Sequence, residues 1–348
     1  MCQRLILNLI LCLLAVMGCS DRSQLIPDAG EWSVPADEVF DGGPGKDGIP
    51  SIDHPQFTIA GEVDFMEDQD LVLGMRIGDQ VRAYPHLILD WHEIVNDESG
   101  NMRLAITYCP LTGTGVAWDR NLPGGTTTFG VSGLLYNTNL MPYDRATNST
   151  WSQQRLDCVH GELRGTLAAT YSLIETEWRI WKAAYPESQV LNLNTGYMRS
   201  YGSYPYGDYR ANHDRLLFPV MPVDNRLPLK ERVLGVLAGS AQRVYRFNDG
   251  SPPVEIITDV LGGEDLVIVR SKINQLLIAF ANPDRLTFTV ADSLFPEILR
   301  DGQGNTYDLL GQVVEDVSGA APLALPEQMI GYWFSWGAFY PGIDLYPD

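Results

Sequence analysis

The sequence predicts an α+β, β-rich fold of two pseudo-symmetric tandem repeats of short strands, each closed by a Trp-rich helix. Three observations carry that expectation. Glycine and proline number 33 and 22 among 348 residues, which punctuates a chain into short strands and turns. An opening motif recurs at fixed spacing: Val72-Leu73-Gly74, Gly78, Arg82 and Tyr84 return as Val233-Leu234-Gly235, Gly239, Arg243 and Tyr245. A closing motif recurs as well, with Trp178, Trp181, Ala183, Tyr185 and Pro186 answered by Trp333, Trp336, Ala338, Tyr340 and Pro341. Self-similarity of this kind marks two copies of one supersecondary unit.

The elements follow in chain order. Met1 to Arg4 is basic, and Leu5 to Met17 is an apolar run of signal-peptide length, below the roughly 20 residues of a membrane span. It ends in Val16-Met17-Gly18-Cys19, which resembles the bacterial lipobox; Cys19 is then the lipidated N-terminal residue. An ordinary secretory signal cleaved nearby is the alternative. Ser20, in place of the Asp that retains such proteins at the inner membrane, points to the periplasmic face of the outer membrane or the cell surface. Residues 1–18 therefore read as a signal peptide and 19–51, rich in Pro, Gly and Asp, as a lipidated N-terminus and flexible tether.

Residues 52–186 form the first repeat, 187–232 a Tyr- and Gly-rich crossover, and 233–348 the second, degenerate repeat. Leu71 to Ile77 and Gln80 to Tyr84 flank Gly78-Asp79, a hairpin connection. His86 to Val95 has the apolar spacing of a short helix after Pro85. Arg103 to Tyr108, Gly115 to Trp118, Thr126 to Val131 and Leu134 to Tyr136 read as strands, and Glu175 to Ala184 as a helix. In the second copy Pro252 and Pro253 replace the first helix.

Charge bounds the function. With 24 Lys and Arg against 44 Asp and Glu, a net of −20, the molecule repels phosphate backbones, so nucleic acid is excluded as a partner. The membrane is a partner through the lipid anchor, and a small-molecule or envelope ligand is the remaining class. Of five cysteines, only Cys109 and Cys158 fall in the body; in an oxidising compartment they read as a structural disulfide, a pair of working thiols, or metal ligands.

The repeat permits a comparison within one chain. His92 faces Val254 and Cys109 faces Ser271, so the thiol and imidazole belong to the first copy alone. Cys109 ends a strand before Pro110 and Gly113, where His92 could act as its base or share a metal. Zn or Cu suits such a pair better than Mg or Ca, with Cys158, His160, His86 or Met141 as further ligands. Tyr136, Asn137, Tyr143 and Arg145 are the expected rim of a cleft there, and His54 and His213 read as surface residues. Two functions compete. One is a thiol-dependent enzyme or soft-metal site at Cys109 and His92; the other is a non-catalytic binding or scaffold lipoprotein with Cys109 and Cys158 bridged.

Several segments together resemble the bacterial and archaeal family described as domain of unknown function 3179. They are Lys46-Asp47-Gly48-Ile49-Pro50, Arg82-Ala83-Tyr84-Pro85, His92-Glu93-Ile94-Val95-Asn96-Asp97, Thr107-Tyr108-Cys109-Pro110-Leu111, Phe129-Gly130-Val131-Ser132-Gly133 and Tyr143-Asp144-Arg145. Members often resemble Cys-Pro-Leu-Cys-Gly at the thiol segment, whereas Thr112 holds the second position here. The resemblance implies no reaction, substrate or cofactor.

Overall fold

A computed structural model describes residues 32–247, 254–291 and 295–346. The expected signal peptide and Cys19 lie outside the described residues, as do Pro252 and Pro253. The first half opens with a hairpin of Leu71–Ile77 and Gln80–Pro85, turning at Gly78 with φ +59. Its counterpart, Arg232–Ala238 with Ala241–Arg246, turns at Gly239 with φ +58. Glycine enters this left-handed region without the steric cost a Cβ imposes, which explains why it recurs at both turns.

Each half continues with three antiparallel strands. These are Ile94–Ser99, Met102–Cys109 and Thr114–Asp119 in the first, and Val254–Leu261, Glu264–Ser271 and Leu276–Ala281 in the second. A four-stranded meander follows in both, beginning at Phe129–Tyr136 and at Phe288–Val290. A closing strand then returns to the opening hairpin: Ile174–Glu177 pairs with residues 71–74, and Glu327–Tyr332 with residues 232–237. Helices α2 (Trp178–Ala184) and α3 (Trp333–Phe339) end the two halves. After each helix a short strand runs parallel to the hairpin's second strand, Gln189–Leu191 beside Arg82 and Asp344–Leu345 beside Arg243. These pairings run in the same order in both halves, and the first half adds Val39–Asp41, Phe57–Ile59 and Thr170–Tyr171 at the edges of its sheets.

The recurring residues have visible jobs. A Cβ on Gly74 would collide with the Trp181 ring, and one on Gly235 with the Trp336 ring, so each Val-Leu-Gly segment is the seat of its closing tryptophan. Arg82 Nη1 and Tyr84 Oη both donate to the buried Asp97 carboxylate, at 2.6 and 2.5 Å. Arg243 and Tyr245 hold Asp259 in the same way, at 2.7 and 2.6 Å. The halves also interlock. Helix α2 packs with Tyr307, Leu309 and Leu310 of the second half, where Leu310 N donates to Tyr185 Oη at 3.1 Å. Helix α3 shares one apolar core with Phe129 and Trp151 of the first, its Phe339 ring lies edge-on to Tyr136, and Tyr340 Oη donates to Gln154 O at 2.9 Å.

Three local expectations differ from the structure. Helix α1 covers only His86–His92, because Glu93 adopts φ +57 and turns the chain into the next strand. The first three residues of the expected second helix, Glu175, Thr176 and Glu177, are extended, since with Ile174 they form a strand that completes the opening sheet. The described part of the expected tether is folded onto the body: Val39–Asp41 pairs with Leu134–Tyr136, and Val34 and Val39 bury themselves against Met141 and Val159. Four apolar side chains meeting there outweigh the Pro- and Gly-rich composition of the segment.

Candidate functional site

The expected centre comes first. Cys109 is 1% exposed; its sulfur accepts from Leu140 N at 3.3 Å and donates toward Thr138 O at 3.7 Å. Burial, with the nearby Glu93 carboxylate, pushes the thiol up to about 11, so it stays protonated at neutral pH. His92 is fully buried with both ring nitrogens engaged. Its Nδ1 lies 2.7 Å from Pro50 O and its Nε2 2.8 Å from Tyr201 Oη, an arrangement that suits a neutral ring donating to the carbonyl and accepting from the phenol. Burial accordingly lowers its pKa.

No hydrogen bond joins Cys109 and His92. The reason is the left-handed Glu93 between α1 and the strand that pairs with Thr107: it sends His92 toward the crossover and brings Glu93, not the imidazole, near the sulfur. Cys109 and Cys158 are both free, so the bridge of the scaffold reading is not formed. The Cys158 thiol is buried against the carbonyls of Thr150 and His160, each at 3.4 Å, and is pushed up to about 12. His160 stacks its ring on Trp32 at 4.5 Å. Among the described residues, no three or more His, Cys, Asp and Glu are placed to hold a metal ion.

The four expected rim residues separate into two pairs at opposite ends of one hairpin. Asn137 Oδ1 accepts from Met221 N at 2.8 Å, and Tyr136 packs edge-on to Phe339 at 5.6 Å. Tyr143 Oη donates to Asp47 at 2.6 Å, while Arg145 Nη1 reaches both Asp53 oxygens at 3.0 Å. The second pair therefore pins the 46–53 segment to the body. Thr112, at the departure from the family pattern, sits in a buried network: Asn139 Nδ2 donates to it at 2.9 Å and to Gln153 Oε1 at 2.7 Å.

A different place combines space with polar groups that lack partners. A cleft of about 530 Å³ opens between the halves and the crossover. Arg210, Lys230, Arg232 and Arg246 line it against Glu175 and Glu231, with His213 at its exposed rim. His86, the first residue of α1, lies there with Nε2 3.2 Å from Glu175 Oε2 yet making no hydrogen bond, its ring 4.3 Å from that of Tyr108. Glu175 also pairs with Arg232. One turn along α1, and outside the lining of this cleft, Asp90 is 4% exposed, its Oδ2 3.8 Å from Arg210 and its Oδ1 without a hydrogen bond. Burial pushes Asp90 up to about 7 and holds His86 well below the ordinary histidine value, with Arg232 and Arg210 adding to the latter. Lys230 donates to the carbonyls of Tyr209, Asn212 and Arg215, which ties the crossover down beside the cleft.

At the spacing of the repeated motifs, Leu71 corresponds to Arg232, His86 to Phe247 and Gly113 to Gln275, and all six line this cleft. The site thus sits where the halves present equivalent positions carrying different side chains. His86 corresponds to a non-imidazole just beyond the matched Tyr84 and Tyr245, a contrast visible in the sequence; the crossover's contribution of Arg210 and Lys230 was not.

A family model for protein of unknown function (DUF3179) matches residues 46–343. The chain belongs to this family. No curated protein and no solved structure matches significantly. The DUF3179 match spans both halves and the crossover, and so includes every residue named in the cleft.

Proposed function

We propose that this DUF3179 protein is an exported lipoprotein, anchored to the outer membrane through acylated Cys19, whose body binds a small anionic molecule in the cleft between its halves. The shared order of pairings supports reading the halves as a duplication that left one composite site at their junction. The observation that carries the binding reading is the cleft's charge: four basic side chains against two acidic ones, in a chain of net charge −20. A recess with an excess of one sign of charge favours contents of the other sign, and guanidinium groups match carboxylate or phosphate oxygens in pairs. The ligand would compete with Glu175 and Glu231 for the arginines, while neutral His86 supplies a further polar contact. In this reading Cys109 packs and does no chemistry, because a buried, protonated thiol is a poor nucleophile and a poor ligand.

Thermal unfolding with succinate or inorganic phosphate, against sodium chloride at equal ionic strength, tests the binding claim. A ligand specific to the native state raises stability by about 2.7 kcal/mol at a hundredfold excess over Kd. A rise with either anion beyond that with chloride supports the reading and tells carboxylate from phosphate; no rise with either contradicts it. Export is tested separately: Cys19→Ala should release the protein from the membrane fraction, and unchanged retention would contradict lipid anchoring.

A further inference from the structure

Beside the Cys109 turn lies a second, smaller cavity of about 130 Å³. Its walls are mostly aliphatic, including Ile49, Leu111, Leu135 and Leu140, and Glu93 is the one ionisable carboxyl lining it. Glu93 is 6% exposed. Its Oε1 accepts from Tyr206 Oη at 2.9 Å, and its carbonyl accepts from Tyr108 N at 2.7 Å. The left-handed backbone at the end of α1 aims the side chain here. No Lys, Arg or His lines the cavity, and among the described residues Glu93 forms no ion pair. A buried carboxylate without a countercharge is costly, and the cost falls when a cation enters.

We propose that this cavity binds a short alkylammonium ion, its head on Glu93 and Tyr206 and its chain among the leucines. The charge calls for a cation and the walls for an apolar body. A bare metal ion fits poorly, since one carboxylate and one phenol fall short of the six to eight oxygens of calcium or the octahedron of magnesium. An ammonium group needs fewer acceptors: the free carboxylate oxygen takes one N–H, and Tyr206 Oη, which donates to Glu93, can still accept another. Burial holds Glu93 up to about 7. Ammonium binding favours the ionised carboxylate, so near neutral pH the proton leaves to buffer as the cation arrives.

Calorimetric titration of the full-length protein with n-butylammonium, repeated in buffers of different ionisation enthalpy, tests this. The expected result is saturable one-to-one binding with proton release at pH 7, and weaker binding of n-butanol without proton release. Glu93→Gln, which keeps the acceptor for Tyr206, should weaken n-butylammonium at least tenfold and abolish the proton release. Tyr206→Phe should weaken it less and retain the release. Absence of saturation, or equal affinity in the Glu93→Gln protein with an unchanged unfolding profile, would overturn the proposal. Neither outcome bears on anion binding in the cleft, whose lining does not include Glu93 or Tyr206.

Discussion

The two halves share a frame and differ at the face where they meet. Gly74 seats Trp181 as Gly235 seats Trp336, and the Arg-Tyr-Asp cluster at Asp97 is rebuilt at Asp259. At the junction the resemblance stops: His86 stands against Phe247 and Leu71 against Arg232. What recurs holds the strands together; what differs lines the cleft. Around Cys109, Thr112, Asn139 and Gln153 engage one another, although both side-chain polar atoms of the adjoining Gln154 make no hydrogen bond; in the cleft, His86 Nε2 makes none.

Breaking the shared frame should have the largest effect. Gly74→Ala and Gly235→Ala each force a methyl into a buried indole, and each should cost about 3 kcal/mol or more in denaturant unfolding. Equal sensitivity supports equivalent seats; tolerance at one would show that the halves are held differently. The ion clusters should then separate the halves by burial. Asp97 has 3% side-chain exposure and Asp259 12%, so Asp97→Asn should cost about 3 kcal/mol and Asp259→Asn less.

Acidity gives the next contrast. Glu93 is raised from 4.5 to about 7 in the folded protein, so the native state holds its proton more tightly than the unfolded chain. That stabilisation is complete below the unfolded value and lost as pH rises through about 7, a change of about 3 kcal/mol. Asp90, raised to about 7, acts in the same direction, whereas His86, lowered by burial, acts oppositely: stability falls as pH drops below the unfolded histidine value. Stability against pH should therefore flatten between pH 5 and 8 in Glu93→Gln, and an unchanged slope would show that Glu93 is not held protonated. The smallest effect is expected at Cys109→Ala: about 1–2 kcal/mol of lost packing, read by denaturant midpoint, with anion binding intact.

The sequence comparison identified the frame because the repeated residues act through short-range pairing and packing, which spacing preserves. Val-Leu-Gly, Arg-Tyr and the Trp pair make corresponding contacts in the two halves. The site was less legible. Cys109 and His92 are linked in sequence through paired strands, but one left-handed residue, Glu93, points the imidazole elsewhere. Arg210 and Lys230 come from a crossover in which no strand forms between Asn192 and Glu231, and its path follows from tertiary contacts that no periodicity records. The contrast between His86 and Phe247 was available one step beyond the matched motif, and only the cleft gives it meaning.

The proposed working site is the junction cleft, and not the thiol. Calorimetric titration of succinate and of inorganic phosphate into wild type, Cys109→Ala, Arg210→Gln and Arg246→Gln tests it most directly. The expected result is saturable binding of at least one anion to wild type and Cys109→Ala, weakened at least tenfold in both arginine variants. Binding lost with Cys109→Ala, binding indifferent to both arginines, or no binding of either anion would contradict it.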